Sequence, residues 1–334
     1  MRVNKITGRL MRTALVVAAV IAVNGISGIP GISVVSAYVK PNPSGNQKQL
    51  TFKSPQKAFD ALVNAAARNN TEELMAIFGP DGKDIVSSGD AVADTYARAR
   101  FTKSAMQGVK FRKLNKKTVL AIVGKDGWTF PIPIVRTGKS WVFFTAEGRQ
   151  EILNRRIGRN ELNTIQASLS YVKAQREYAM ATLNTNGRLQ YAQFFISHRG
   201  SRDGLYWHGM GNSPLGAFFA RAACNEDASG KGAAKPVPYY GYYFKILKGQ
   251  GAHAPGGKMD YVVNGRMTGG FGLVAYPARY GVSGIMTLMV NQQGIVYEKD
   301  LGAKTDELAP KITRYNPGPG WKKVALPEAA ASGK

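Results

Sequence analysis

Three histidines stand in this chain, His198, His208 and His253. Two of them flank Asp203, beside Ser197, Ser201 and Trp207. A hydroxyl, an imidazole and a carboxylate are the parts of a nucleophilic hydrolase. The carboxylate orients the imidazole, which takes the hydroxyl proton during attack. The Arg199–Gly216 loop would then hold the reaction. No strained strand-to-helix elbow accompanies these serines, and the same stretch reads equally as a glycine-rich loop carrying incidental polar residues. No residue is assigned as catalytic. The two histidines with Asp203 or with Cys224 lack the spacing of zinc ligands, so neither a metal nor a cofactor is expected. Gly256-Gly257 and Gly269-Gly270 lack the lysine and helix of a phosphate loop and read as turns. Glu161 and Glu177 cannot act as an acid and base from one helix, because sixteen positions at 100° each set them ~160° apart.

Binding chemistry is better represented. Arg98, Arg100, Lys103, Lys110, Arg112, Lys113, Lys116, Lys117 and Lys125 fall in 28 residues without an acid. The first eight are the candidate anion-binding residues; the alternative reading is a solvated charged surface. Tyr239-Tyr240-Gly241-Tyr242-Tyr243-Phe244 reads as a strand with Tyr240, Tyr242 and Phe244 on one face. If exposed, those rings could stack on sugars or on a partner's aromatics. Tyr240 and Tyr242 therefore join His198, Asp203 and His208 as a weaker alternative site. A sheet packed on both sides is the other reading, and Met259, Met267, Met286 and Met289 read as core fillers.

The formal net charge of the chain is +24. Residues 1–13 carry Arg2, Lys5, Arg9 and Arg12 and no acid, and Ala14–Val23 is entirely apolar. Val35-Ser36-Ala37 offers small residues to a signal peptidase. This order predicts a secretory signal peptide cleaved after Ala37, and hence a periplasmic or secreted product. The alternative is an N-terminal membrane anchor, since Thr13–Ala37 has no charge; Asn24, Gly25, Gly28, Pro30 and Gly31 argue against it. Cleavage would leave a chain of +20, spread over both halves. Such a body favours polyanions. Outside the cytoplasm these are anionic envelope polymers and lipid headgroups; nucleic acid is not expected as the physiological target. The lone Cys224 permits no internal disulfide and reads as a small buried residue.

These residues need elements to hold them. Helices are expected over 55–68, 72–78 and 92–106, the first two started by Ser54-Pro55 and Thr71. Strands follow over 109–114, 118–123, 128–136 and 140–144. Helices covering an antiparallel meander make an α+β layer, arranged like a nuclear-transport-factor-like cone. Phe101, Phe111, Trp128, Phe130, Trp141 and Phe143 would line its interior. A boundary is placed near 150, giving domains of 51–150 and 151–316 after a loose lead, 38–50. In the second domain a helix is expected over 160–180 and a short one over 189–197. Strands are expected over 239–248, 261–263, 271–276, 285–290 and 295–298, with a tight turn at Asn264-Gly265. The tail after Pro317 reads as disordered.

Longer runs carry a resemblance. They are Gly79-Pro80-Asp81-Gly82, Val86-Ser87-Ser88-Gly89-Asp90, Phe130-Pro131-Ile132-Pro133 and Gly158-Arg159-Asn160-Glu161-Leu162. Ala174-Gln175-Arg176-Glu177-Tyr178-Ala179, Arg202-Asp203-Gly204-Leu205-Tyr206-Trp207 and Ser213-Pro214-Leu215-Gly216 follow. Gly241-Tyr242-Tyr243-Phe244, Val262-Val263-Asn264-Gly265-Arg266-Met267 and Lys299-Asp300-Leu301-Gly302 complete the set. Over residues 50–316 the chain resembles the bacterial exported family catalogued as domain of unknown function 2950. The resemblance implies an envelope or secreted protein of Gram-negative bacteria and implies no activity. Members often carry acids after Ser-Pro, where this chain has Gln56-Lys57, and an acidic loop after the long helix. Here that loop is Asn184-Thr185-Asn186-Gly187, which lacks carboxylates for calcium. Residues 158–302 also weakly resemble the soluble head of a pilin or pseudopilin.

The leading expectation is an exported, strongly basic, non-enzymatic binding or structural component that contacts anionic envelope material; a protein partner is also open. The alternatives are an envelope-polymer hydrolase using the 199–216 loop and a small-ligand carrier using the N-terminal cone.

Overall fold

The computed structural model describes residues 49–209, 211–220 and 237–325. The signal peptide, its cleavage site, most of the lead and Cys224 lie outside the described residues, as does the tail beyond 325. The architecture is α+β.

Helix α1 (Pro55–Ala67) starts where Ser54 Oγ accepts the Lys57 N–H at 3.2 Å, with Pro55 in its first turn. It buries Ala58, Phe59 and Leu62 at helical spacing. Asn70, not Thr71, caps α2 (Thr71–Phe78), accepting from Glu73 N–H at 3.1 Å. After the short α3 (Lys83–Val86), Asp90 caps α4 (Ala91–Met106). Strands β1 (Val109–Asn115), β2 (Thr118–Val123), β3 (Trp128–Thr129), β4 (Ile134–Thr137) and β5 (Ser140–Phe143) are antiparallel, in the order β1-β2-β4-β5, with β3 beside β2. The single strand expected over 128–136 is broken by Pro131-Ile132-Pro133, since proline donates no ladder hydrogen bond. Phe59, 1% exposed, sits among the rings expected to line a cavity. It meets Phe101, Phe111 and Phe130 edge-on at 5.6 to 6.0 Å. That space is packed core, and Trp128 lies outward, 39% exposed, under Arg155.

Helix α5 (Thr145–Asn186) is far longer than the expected 160–180. Position 150 lies inside it, so no linker marks the boundary placed there. Gly148 stands in the first turn, where glycine costs a helix about 1 kcal/mol relative to alanine. Here a Cβ would strike Pro131 O and Ile132 at 2.6 Å, so glycine is what lets the first turn sit on that loop. Gly187, at φ +65°, ends the helix.

No helix forms over 189–197. Strand β6 (Phe194–Ile196) runs parallel to β7 (Gly204–Tyr206). The buried Gln175 amide takes the place of a neighbouring strand: Oε1 accepts Ala192 N–H and Nε2 donates to Ala192 O, both at 2.9 Å. The short α6 (Ala217–Ala220) follows. Strands β8 (Tyr242–Leu247), β9 (Gly249–Gln250), β10 (Met259–Asp260), β11 (Val262–Val263), β12 (Arg266–Met267), β13 (Gly272–Pro277), β14 (Met286–Asn291) and β15 (Tyr297–Asp300) come next. Asn264 and Gly265, at φ +51° and +74°, make the tight turn between β11 and β12. After α7 (Thr305–Leu308), β16 (Lys322–Lys323) completes a sheet ordered β16-β15-β14-β13-β8. Residues 318–325, expected to be disordered, are instead ordered: Trp321 and Val324 pack on the cores and β16 pairs with β15. One sheet face, with Phe244, Leu273 and Leu288, packs in the core with α5 residues Tyr171 and Tyr178. The other, with Leu247, Val274 and Met289, is covered around Ala254 and Tyr315.

Helix α5 passes from the first core to the second through a polar junction. The Asp84 carboxylate receives Arg149 on one oxygen and Arg279 on the other, the latter at 2.6 Å. Arg156 donates to the carbonyls of Asp84 and Ile85. Asp90, 1% exposed, accepts Ala93 N–H at 2.8 Å and Gly241 N–H at 2.9 Å. Asn160 donates to Ser283 O at 2.9 Å, and Glu161 accepts Ile285 and Met286 N–H at 2.9 and 3.0 Å. Burial pushes the Asp90 carboxyl up despite its backbone donors. Burial also acts to raise Asp84, but its two arginines outweigh that and hold it below the ordinary value.

Two outcomes follow from this junction. Asp90→Ala removes a helix cap and orphans a buried N–H, so unfolding in urea should show a loss of about 2–4 kcal/mol. Asp90→Asn keeps one acceptor and should lose about half as much. The lowered Asp84 pKa contributes stability that is complete above the ordinary carboxylate range and is lost as pH falls through the lowered value. Asp84→Asn should therefore flatten the acid limb of the stability curve below about pH 4, read by thermal unfolding across pH.

Candidate functional site

The acid-free basic run is divided by the fold. Arg98 is half-buried on α4 and holds three helices together, donating to Asn69, to Thr71 Oγ1 at 3.1 Å and to Val86 O at 2.8 Å. It is a structural residue, not a free anion ligand, which corrects its place in the candidate set. Arg100 is exposed on the same helix, close enough to Arg159 to add to the burial that lowers that guanidinium. Lys103 is exposed in the last turn of α4, where the helix dipole favours a cation. Lys110 and Arg112 project from one face of the edge strand β1, and Lys113 from the face shared with Val109 and Phe111. Lys116 and Lys117 form the tip of the β1–β2 hairpin, which Asn115 closes by accepting Lys117 N–H at 2.8 Å. Among the described residues, none of Lys103, Lys110, Arg112, Lys113, Lys116 and Lys117 forms an ion pair. Lys110, Arg112, Lys113, Lys116 and Lys117 make a cationic ribbon along one sheet edge, and Lys103 stands on α4.

Of the histidine set, the structure brings together two members. Asp203 accepts His198 N–H at 2.9 Å, and its second oxygen meets His198 Nδ1. Burial acts to raise the Asp203 carboxyl, but hydrogen bonds from His198 and Ser201 outweigh it and hold the group low. Ser197 Oγ accepts Gly204 N–H, and Ser213 Oγ accepts Trp207 N–H. His208 packs edge-on to Tyr206 with centroids 5.0 Å apart, and no hydrogen bond joins it to His198 or Asp203 among the described residues. The geometry is that of a stapled loop. It puts an acid and an imidazole together without a serine hydroxyl positioned for attack.

Tyr240 and Tyr242 do not share a face. Tyr242 is fully buried and donates to Met286 O at 3.0 Å; burial and the nearby Glu161 carboxylate push its phenol up. Tyr240 and Gly241 stand at φ +53° and +75° in a tight turn that pairs Tyr239 with Tyr242. A tyrosine held in the left-handed region costs about 1–2 kcal/mol. Gly241 is required there, because a Cβ would meet Asn160 Nδ2 at 2.6 Å.

The same turn forms one end of a cavity of about 420 Å³ between α5 and the 214–219 segment. Ala167 and Ala174 line its helical side, Leu215 and Phe219 lie opposite, and Asn163, Gln166 and Ser170 stand along it. The Tyr239 and Tyr240 rings lie 4.2 Å apart, and Phe219 is stacked on Tyr239 at 5.7 Å. Burial and the Tyr240 hydroxyl push the Tyr239 phenol up, keeping it a neutral donor. Sequence reading missed the helical residues of this cavity. Their spacing of three and four positions was visible, but it signals only a polar helix face until a facing segment is placed.

Among the described residues no cluster of histidine, cysteine and acidic side chains could hold a metal ion, and no helix is long and apolar enough to cross a membrane. No curated protein and no solved structure matches this chain, so the likenesses to a nuclear-transport-factor-like cone and a pilin head rest on element order alone. The model of one family, described as a protein of unknown function (DUF2950), matches residues 49–324. Spanning the two five-stranded sheets and the junction between them, that match shows that the chain belongs to the DUF2950 family.

Proposed function

We propose that this chain works outside the cytoplasm of a Gram-negative bacterium as a non-enzymatic binding or structural component of the cell envelope, held to anionic polymers or lipid headgroups by its basic surface. The observation that carries the reading is the ribbon of five cations on β1 and the hairpin tip, with Lys103 on α4, none of them paired with an acid among the described residues. A lone surface lysine says little. Several on one edge strand add their fields, and their targets are attracted at long range until salt screens them. Lysines also protect an edge strand from pairing with other chains, but that protection needs one or two, not a row continued through the turn. The export reading rests on the charged, then apolar, then small-residue order of residues 1–37.

Two measurements bear on this. Reversing Arg112, Lys113, Lys116 and Lys117 to Glu should weaken binding to phosphatidylglycerol vesicles at least ~1,000-fold, at about 1 kcal/mol per basic residue near an anionic surface. Reversing the exposed Lys304 and Lys311 should cost far less, and wild-type affinity should fall steeply with salt. Equal losses from both sets would remove the ribbon's role. The mature product recovered from envelope fractions should begin at Tyr38, as read by intact mass; an unprocessed cytosolic product would overturn the reading.

A further inference from the structure

We propose that the cavity between α5 and the 214–219 segment binds a neutral pyranose chain, with Tyr240 as its stacking platform. Four observations converge on that chemistry.

The shape is a groove rather than a socket. Its lining runs from Asn163 to Glu177 along α5, about 21 Å of helix. Ala167 and Ala174 keep its floor low, so a flat, extended ligand can lie close to the helix. Its uncharged polar groups along α5 are two amides and a hydroxyl. Asn163 and Gln166 each offer both donor and acceptor atoms, the pairing that sugar hydroxyls need in return, while Ser170 Oγ, which donates to Gln166 O at 2.9 Å, is left as an acceptor. The half-buried Asn163 side chain has no hydrogen-bond partner among the described residues.

The groove is also electrically quiet. Among the described residues its one lysine, Lys173, lies 3.8 Å from Glu177 on the same helix face, so the two cancel. In a chain of net charge +24 this local neutrality separates the groove from the basic ribbon and disfavours an anionic ligand. Finally, Tyr240 is 38% exposed at the end of the groove, in a backbone conformation that asparagine or glycine would hold with less strain. Strain retained beside a cavity points to a use for the side chain that causes it. A tyrosine ring backed by Tyr239 and Phe219 offers an apolar face to the C–H side of a pyranose and a hydroxyl to its rim.

The strained turn provides the test, because the informative substitution relaxes the backbone. The mature chain is titrated calorimetrically with chitotetraose and with maltotetraose, at low and at high salt. At least one tetrasaccharide should bind saturably, with an affinity that changes less than about twofold with salt. Tyr240→Asn should weaken that binding at least ~10-fold while the Tm holds or rises by about 2 °C. Asn163→Ala should also weaken it. The charge-reversed ribbon variant should bind the sugar as wild type does, which keeps this site distinct from the anionic contact proposed above. Binding of neither tetrasaccharide, binding unchanged by both Tyr240→Asn and Asn163→Ala, or loss of sugar binding on ribbon reversal would each overturn the proposal.

Discussion

A carboxylate taken out of water must be paired, or the fold that buries it loses several kcal/mol. Asp84 and Asp90 meet that constraint at the place where α5 leaves one core for the other. Asp84 gathers Arg149 from α5 and Arg279 from the loop before β14. Asp90 caps α4 and at the same time holds the backbone of Gly241, at the entry to β8. Glu161 plays the same part for the first residues of β14. Asp84 and Asp90 therefore serve donors from the other half of the chain, and Glu161 ties α5 to the start of β14. The long helix, with glycines at 148 and 158, can remain unbroken because these contacts and the small cluster of Leu153, Ile157 and Val282 fix it from both sides.

This junction changes the meaning of the family motifs. Val86–Asp90, Gly158–Leu162 and Gly241–Phe244 are far apart in sequence and meet here. Their acids and amides are occupied by hydrogen bonds inside the fold, and Gly241 is there because a side chain would collide with Asn160. These three runs are thus explained by assembly of the α+β body. Binding chemistry must be sought among side chains that assembly leaves over. Those are the ribbon on β1 and its hairpin, which is strongly charged, and the groove beside Tyr240, which is neutral. One would act at long range and be screened by salt; the other would act only in contact.

Much of the local structure was legible in the sequence. Ser54-Pro55 starts a helix because a capping oxygen and a preset φ act within one turn. Asn264-Gly265 turns a hairpin because both residues tolerate positive φ. Errors arose where distant contacts overrode local preference. The boundary expected near 150 falls inside α5, where Gly148 packs on Pro131 and Arg156 donates to the Asp84 carbonyl across the fold. The aromatic run at 189–197 has helical length, but Gln175 captures its backbone and holds it extended. The tail after Pro317 reads as low in structure, but an open edge at β15 takes it up as β16.

Charge, the order of the first thirty-seven residues, the α+β alternation and the family motifs are properties of composition and short-range pattern, and the sequence by itself determined them. Which charges remain free was decided only in three dimensions, because pairing depends on what lies opposite. Arg98 and Lys110 are alike in sequence, yet one is consumed by Asn69 and the ends of two neighbouring helices and the other faces water. The same holds for the tyrosines. Alternation set Tyr240 beside Tyr242, but the collision that reserves Gly241 for glycine turns the chain there, burying one ring in the core and leaving the other at the mouth of a groove.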